Sequence, residues 1–365
     1  MLRSIATALV VAALTAPAAR GASSPDPTLA PPGTTPSSGS SLTNPAISVI
    51  GWFQAVAGND SSAQQNQFEF KEAELSFQAA VDPFTRADFF LSAGPEGLEV
   101  EEAHITWLAL PGGGQAQLGK FRADFGKFNR THPPETPFAD RPLSTVAFLG
   151  EEGLSTTGLA ASLLLPNPFG LYWDLIANLG TVPDAAENPL FEATTRSDAL
   201  ILGRSSLFFP LRESVDLNLG ASYANAPAQS ALQSQGSHAQ LGVVDATLRW
   251  KNPRRSIYRS LMVQVEITGE QGSARGAQRL LGGFGYVIYQ AARHWKIGAR
   301  YDWTERPDAP EHSSGALALV QYQPSEFSTL SLQGRRVHDA AADRDFDSAF
   351  FKWTFNIGPH GAHPY

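Results

Sequence analysis

Ser348-Ala349-Phe350-Phe351-Lys352-Trp353-Thr354-Phe355-Asn356-Ile357-Gly358 alternates large apolar side chains with polar ones almost to the carboxyl end of the chain. Successive side chains of a strand point to opposite faces, so Phe351, Trp353, Phe355 and Ile357 share one face and Lys352, Thr354 and Asn356 the other. A full charge such as Lys352 in mid-strand does not suit a packed core on that side, because an unpaired buried ammonium is too costly. The pattern predicts a strand between lipid and water that closes a barrel against a first strand near Val49. Pro359 then breaks pairing, which leaves Phe355 and Tyr365 as rival aromatics for a barrel-assembly signal.

The same two-residue period recurs upstream. Val215, Leu217, Leu219, Ala221 and Tyr223 oppose Asp216, Asn218, Gly220 and Ser222, and Leu261, Val263, Val265 and Ile267 oppose Met262, Gln264, Glu266 and Thr268. Trp295, Ile297, Ala299, Tyr301 and Trp303 oppose Lys296, Gly298, Arg300, Asp302 and Thr304. Aromatics at the ends of apolar faces, among them Tyr223, Trp250, Tyr289, Trp295, Trp303 and Tyr322, match the girdles of a membrane barrel. A soluble secreted β-sandwich shares the alternation, yet it does not account for Glu266, Arg300 and Lys352 in mid-strand.

Segments of this kind fall at 47–57, 67–82, 85–94, 98–110, 114–125, 156–166, 170–180 and 196–209, then at 214–225, 238–250, 259–270, 277–290, 293–304, 314–323, 327–337 and 348–358. The expected fold is all-β, a single antiparallel transmembrane β-barrel of about 16 strands, within a range of about 12 to 18. Asp82-Pro83, Pro111-Gly112-Gly113-Gly114 and Pro324-Ser325-Glu326 read as tight connections. No internal repeat or second domain is visible.

The amino end has a positive start at Arg3, an apolar run from Ile5 to Ala16 and small residues at Ala16-Pro17-Ala18, which together predict a cleaved signal peptide over residues 1–22 and export to the outer membrane. Residues 23–44 are rich in Pro, Ser, Thr and Gly and read as a disordered leader, so the barrel spans 45–365. The chain of 365 residues has no cysteine, which excludes a disulfide framework and thiolate metal sites. A formal charge of −8 with six lysines argues against nucleic acid as a partner.

One stretch, 126–155, lacks alternation and exceeds the usual loop length. It is expected either to fold inward and narrow a pore or to stay outside, and Asn129, His132, Asp140, Arg141, Glu151 and Glu152 are its constriction candidates. The pore-lining candidates are Lys120, Arg122, Asp124, Glu266, Lys296, Arg300, Asp302 and Lys352, since rings of charge set ion preference. Lys120, Arg122 and Asp124 are expected to share one face. His132, His360 and His363 invite a metal reading, but their spacing matches no strong zinc motif, so no metal ligand and no cofactor is assigned. No Gly-x-Ser-x-Gly elbow is present, and the adjacent Glu101 and Glu102 are expected on opposite faces, so no enzyme is expected.

Glu72-Ala73-Glu74-Leu75-Ser76-Phe77-Gln78-Ala79-Ala80-Val81-Asp82-Pro83, Glu101-Glu102-Ala103-His104, Gly119-Lys120-Phe121-Arg122, Phe125-Gly126-Lys127-Phe128-Asn129 and Gly150-Glu151-Glu152-Gly153 together resemble a family of porin-like bacterial outer-membrane proteins. These are similar in layout to phosphate-selective porins, and some members are labelled zinc-regulated or TonB-dependent receptors. The resemblance is dense from Phe68 to Leu165, sparse through the middle and renewed from Phe355 to Tyr365. It implies a sixteen-stranded barrel passing small hydrophilic solutes or ions by passive diffusion, in contact with outer-membrane lipid, as a monomer or homotrimer. The alternative is an outer-membrane receptor or plugged barrel with a specific ligand, a metal-linked one among the options. The chain departs from the TonB-dependent class in having only a short leader before its first strand, and from phosphate-selective porins in its few lysines.

Overall fold

A computed structural model describes residues 45–59, 68–95, 97–183, 188–191, 199–228, 238–254, 258–271, 279–305 and 312–358. The expected signal peptide and leader, His360, His363 and Tyr365 lie outside the described residues. Sixteen strands follow in chain order: β1 (Ala46–Gly58), β2 (Phe68–Asp82), β3 (Thr85–Gly94), β4 (Gly97–Leu110), β5 (Gly114–Arg122), β6 (Ser155–Leu164), β7 (Tyr172–Thr181) and β8 (Leu200–Arg212). The second half is β9 (Val215–Pro227), β10 (His238–Lys251), β11 (Ser260–Gln271), β12 (Arg279–Ala292), β13 (Trp295–Thr304), β14 (Ser313–Ser325), β15 (Ser328–Asp339) and β16 (Arg344–Ile357).

Each strand pairs antiparallel with its sequence neighbours, and β1 pairs with β16 from Val49 opposite Ile357 to Gly58 opposite Ser348, which closes the barrel and removes both edges. The sandwich is thereby excluded, and the expected sixteen-stranded antiparallel barrel is the fold. One end of the barrel carries tight turns such as Pro83-Phe84, where the Phe84 amide donates to Asp82 Oδ1 at 2.7 Å, and the other carries the longer connections, β3–β4 excepted.

The outer wall is apolar in rows that run across the register. Ile105, Leu118, Leu159, Leu179 and Ile201 stand side by side on β4 to β8, each between 40% and 55% exposed. On the far side of the seam Ile297, Val320 and Leu332 do the same, Leu332 with 64% exposure and paired with Phe351. Apolar surface so continuous fits hydrocarbon rather than water. Among the described residues no helix is long and apolar enough to cross a membrane, so strands are what would cross it. Leu332→Arg, in the middle of β15, is expected to destabilise the folded barrel by about 2–4 kcal/mol; urea unfolding in lipid vesicles measures this, and a shift no larger than that of an Arg placed in a loop would count against a lipid-facing position.

Two local departures from simple alternation shape the barrel interior. Strand β5 stops at Arg122 rather than continuing to 125, because residues from Ala123 onward turn off the wall. On β4, Phe90 pairs with Glu102 but Leu91 pairs with Val100, so Glu101 is an extra residue in a β-bulge. Glu101 and Glu102 therefore do not point to opposite faces as regular alternation predicts.

Candidate functional site

The segment from Ala123 to Leu154 folds into the barrel. Its early turn passes through Gly126, whose φ of +66° favours glycine and where a Cβ would lie 2.6 Å from Glu266 Oε2. Short 3-10 turns at Phe128–Arg130 and Pro133–Glu135 and the helix α1 (Leu143–Leu149) give it internal form. Asn129 ties its two ends together: Nδ2 donates to the carbonyls of Ala123 (2.9 Å) and Leu154 (2.8 Å), and Oδ1 accepts the Leu154 amide (2.9 Å).

Where the loop meets the wall, the inner face is apolar. Phe128 and Phe138 pack against Phe284, Tyr286 and Ile288 of β12 and Leu317 and Leu319 of β14, with Phe128 edge-on to Phe284 at 5.2 Å. Phe125, Phe148, Leu149 and Leu154 join Leu190, Phe191, Leu202, Ala224, Leu241 and Val243 in a second cluster. A uniformly polar lumen is thus not what the chain builds. Its inner wall has dry patches shaped to hold the loop.

Charged wall residues hold the loop backbone. Lys352 Nζ donates to the carbonyls of Pro133 (3.1 Å), Thr136 (3.0 Å) and Phe138 (3.1 Å). Glu266 Oε1 accepts the amides of Lys127 (3.0 Å) and Phe128 (2.6 Å) as well as Gln264 Nε2 (2.9 Å). Asp140 receives Arg300 Nη2 at 2.6 Å, Gln333 Nε2 at 2.5 Å and Arg335 Nη1 at 3.1 Å. Arg300 also donates Nε to Asp302 Oδ2 at 2.6 Å, and its guanidinium lies 4.7 Å from the Phe138 ring centroid.

At the other end of the loop Arg122 is buried, donating Nη2 to Glu101 Oε2 at 2.8 Å and Nη1 to the Glu152 carbonyl at 2.5 Å. Arg141 reaches the same carbonyl at 3.2 Å. Asp124 pairs with Arg130 at 3.2 Å, while Glu151 and Glu152 are exposed. The shared face expected for Lys120, Arg122 and Asp124 does not form. Phe121, 1% exposed and paired with Thr156, occupies the inner face, so Lys120 shares the outer face of Leu118, and Asp124 lies past the strand end. Lys296 lies one residue from outward Trp295 and Ile297, on the same inner face as Arg300 and Asp302.

His132 is fully buried between carboxylates: Nδ1 lies 2.7 Å from Glu101 Oε2 and 3.1 Å from Glu74 Oε2, and Nε2 lies 2.6 Å from Glu102 Oε1. Burial and Arg122 oppose charge on the imidazole, but Glu74, Glu101 and Glu102 outweigh them and raise its pKa well above the usual histidine range. Burial first, then Glu74, pushes the Glu135 carboxyl up to about 7. Burial first, then Arg249, brings the Lys127 ammonium down to about 8.

Arg204, Asp245, Gln333 and Arg335 were not singled out in the sequence, and Glu101 and Glu102 were weighed there only as a carboxylate pair expected on opposite faces. Arg204 and Asp245 make a bidentate pair at 2.7 and 3.0 Å two strands apart. The signal for them was available, since both are charges in mid-strand like Glu266. For Glu101 none was, because the bulge has no sequence mark.

A closed sixteen-stranded antiparallel barrel with the loop between β5 and β6 folded into the lumen defines a porin-type architecture. Solved structures of outer-membrane proteins resemble it in fold. They include OmpF of Salmonella typhi in complex with daunomycin (TM-score 0.58, 11% identity, covering 87% of this chain and 98% of that one) and an anion-selective porin from Comamonas acidovorans (0.55, 10%, 86% and 100%). OmpT of Vibrio cholerae, an outer-membrane protein in its trimer form, matches with a TM-score of 0.53 and 9% identity over 86% of this chain and 100% of that one. At such identities the likeness is one of fold. In sequence, an uncharacterized protein of Aquifex aeolicus (strain VF5) is 27% identical over 337 residues, which is 83% of this chain and 71% of that protein. No family model matches.

Proposed function

We propose that this protein is a porin-like outer-membrane channel for passive diffusion of small hydrophilic solutes or ions, delivered by a cleaved signal peptide, with the loop between β5 and β6 as its constriction. The observation that carries the reading is the anchoring of that loop from both sides of the lumen, by Glu266, Arg300 and Lys352 on one side and, through the Glu152 carbonyl, by Arg122 on the other. A loop held so firmly fixes the shape of whatever passage remains beside it, and the charged groups around it supply the field that a permeating ion meets. Passive diffusion needs no bond to be made or broken, so no catalytic role is assigned to any of these residues.

A plugged barrel that binds a ligand is the second reading. The apolar cluster of Phe125, Phe148, Phe191, Leu202 and Leu241 favours it, because such a cluster fills part of the interior with side chains. Single-channel recording in planar bilayers separates the two. The purified protein is expected to give stepwise currents whose size falls as the ions of the bathing salt become larger, and reversal potentials in salt gradients read out the ion preference. Absence of any current from correctly folded protein would favour the plugged barrel. The oligomer is read from the same preparation by cross-linking, with a monomer or a homotrimer expected.

A further inference from the structure

We propose that Glu74, Glu101 and His132 form a binding site for one divalent transition ion of the zinc type, which clamps the inward loop to strands β2 and β4. The three donors come from three elements that the fold brings together, and their ligand atoms all lie within 4.8 Å of one another. Nδ1 of His132 lies 2.7 Å from Glu101 Oε2 and 3.1 Å from Glu74 Oε2. A tetrahedral ion bound at about 2.0–2.1 Å needs neighbouring ligand atoms about 3.3 Å apart, so the two distances from Nδ1 lie within a few tenths of an ångström of what such an ion needs.

Further observations distinguish this cluster from a chance gathering of acids. Glu102 accepts from the far ring nitrogen, Nε2, at 2.6 Å, the arrangement in which a second carboxylate orients an imidazole whose other nitrogen binds metal. The bulge at Glu101 is what makes this division of labour possible, since it turns two adjacent carboxylates onto the two nitrogens of one ring.

Charge points the same way. Glu74, Glu101 and Glu102 carry three negative charges, against which a protonated His132 and Arg122 supply two positive ones. A divalent ion with a neutral imidazole in place of the imidazolium balances the cluster. The donor set of one imidazole and two carboxylates suits zinc better than calcium or magnesium, which favour oxygen alone. His132 is fully buried, and the Glu101 side chain keeps 11% exposure.

The test uses the full chain without an affinity tag, purified in detergent, stripped with EDTA, equilibrated with zinc chloride and assayed for zinc per chain. Wild type is expected to retain about one zinc, and His132→Ala and Glu74→Gln to lose it. Glu102→Gln should keep the site but weaken it about ten- to hundredfold. Heat-modifiable gel migration reports folding of each variant; should His132→Ala misfold, Glu74→Gln preserves side-chain shape and decides the matter. The proposal is overturned if folded wild type retains no zinc, leaving an imidazolium bridging carboxylates, or if Glu74→Gln binds zinc as tightly as wild type, which would place the ion elsewhere, as on His360 and His363.

Discussion

Asp140→Ala is expected to weaken docking of the loop by about 3–5 kcal/mol, roughly two to three and a half powers of ten in the equilibrium between docked and released loop. Asp140 is a loop carboxylate that the wall grips with two guanidinium groups. Its carboxylate is held by Arg300, Arg335 and Gln333, and its own carbonyl accepts Arg300 Nη1 at 3.0 Å. The side chains of Arg300 and Asp140 are 0% and 12% exposed, so solvent screens the pair little, and removing the carboxylate leaves the Arg335 guanidinium without that partner and Arg300 with only Asp302 as a charged partner beside the backbone carbonyl of residue 140. Burial of both charges is costly in itself, and it is loss of one member, not the pair as such, that makes the penalty large.

Amide hydrogen exchange across residues 127–150 measures the effect, since those amides would open together. Glu152→Ala is the contrast: its carboxylate lies 4.0 Å from Arg122 and is 59% exposed, so its removal should change exchange very little. Were Asp140→Ala to exchange like wild type, the loop would have to be held by its apolar contacts and by Lys352, Glu266 and Arg122 without need of Asp140.

The barrel was legible because a strand repeats every two residues and a membrane barrel puts lipid on one side of nearly every repeat. Predicted and observed segments coincide at β3, 85–94, and differ by a few residues elsewhere. The anchors were half legible. Arg300 and Lys352 stand out as charges in mid-strand, but nothing local says that Lys352 meets Phe138, which is 214 residues away. Closure of the barrel creates that encounter, and closure is a property of all sixteen strands at once.

Two features were hidden for different physical reasons. On β12 the inward set Phe284, Tyr286 and Ile288 is larger and more apolar than its outward neighbours Gly283, Gly285 and Val287, so alternation alone assigns the wrong face to lipid. The burial that reverses it comes from Phe128 and Phe138 of the distant loop. At Glu101 the bulge shifts the register by one residue, and a one-residue shift changes which face a side chain occupies.

Excising the loop is expected to raise single-channel conductance several-fold while leaving the barrel closed. The ends to be joined are already neighbours: Arg122 pairs with Ser155, and the Ala123 amide donates to the Leu154 carbonyl at 2.9 Å. A hairpin turn of about two to four residues between Ala123 and Leu154 therefore meets the geometry that the wall imposes. None of the sixteen strand pairings uses a residue of the loop, so closure does not depend on it. Stability should nonetheless fall, because Phe284, Tyr286, Ile288 and Leu317 lose their cover, Lys352 loses its loop carbonyls, and Glu266 and Arg300 keep only their wall partners Gln264 and Asp302. These last three regain partners from water once the lumen is wide, which limits the loss to well below that of an equally buried charge in a dry core. Conductance in planar bilayers decides the outcome. An unchanged value in a variant that still migrates as a folded barrel would mean that the passage is set elsewhere, and the loop would then serve to brace the wall.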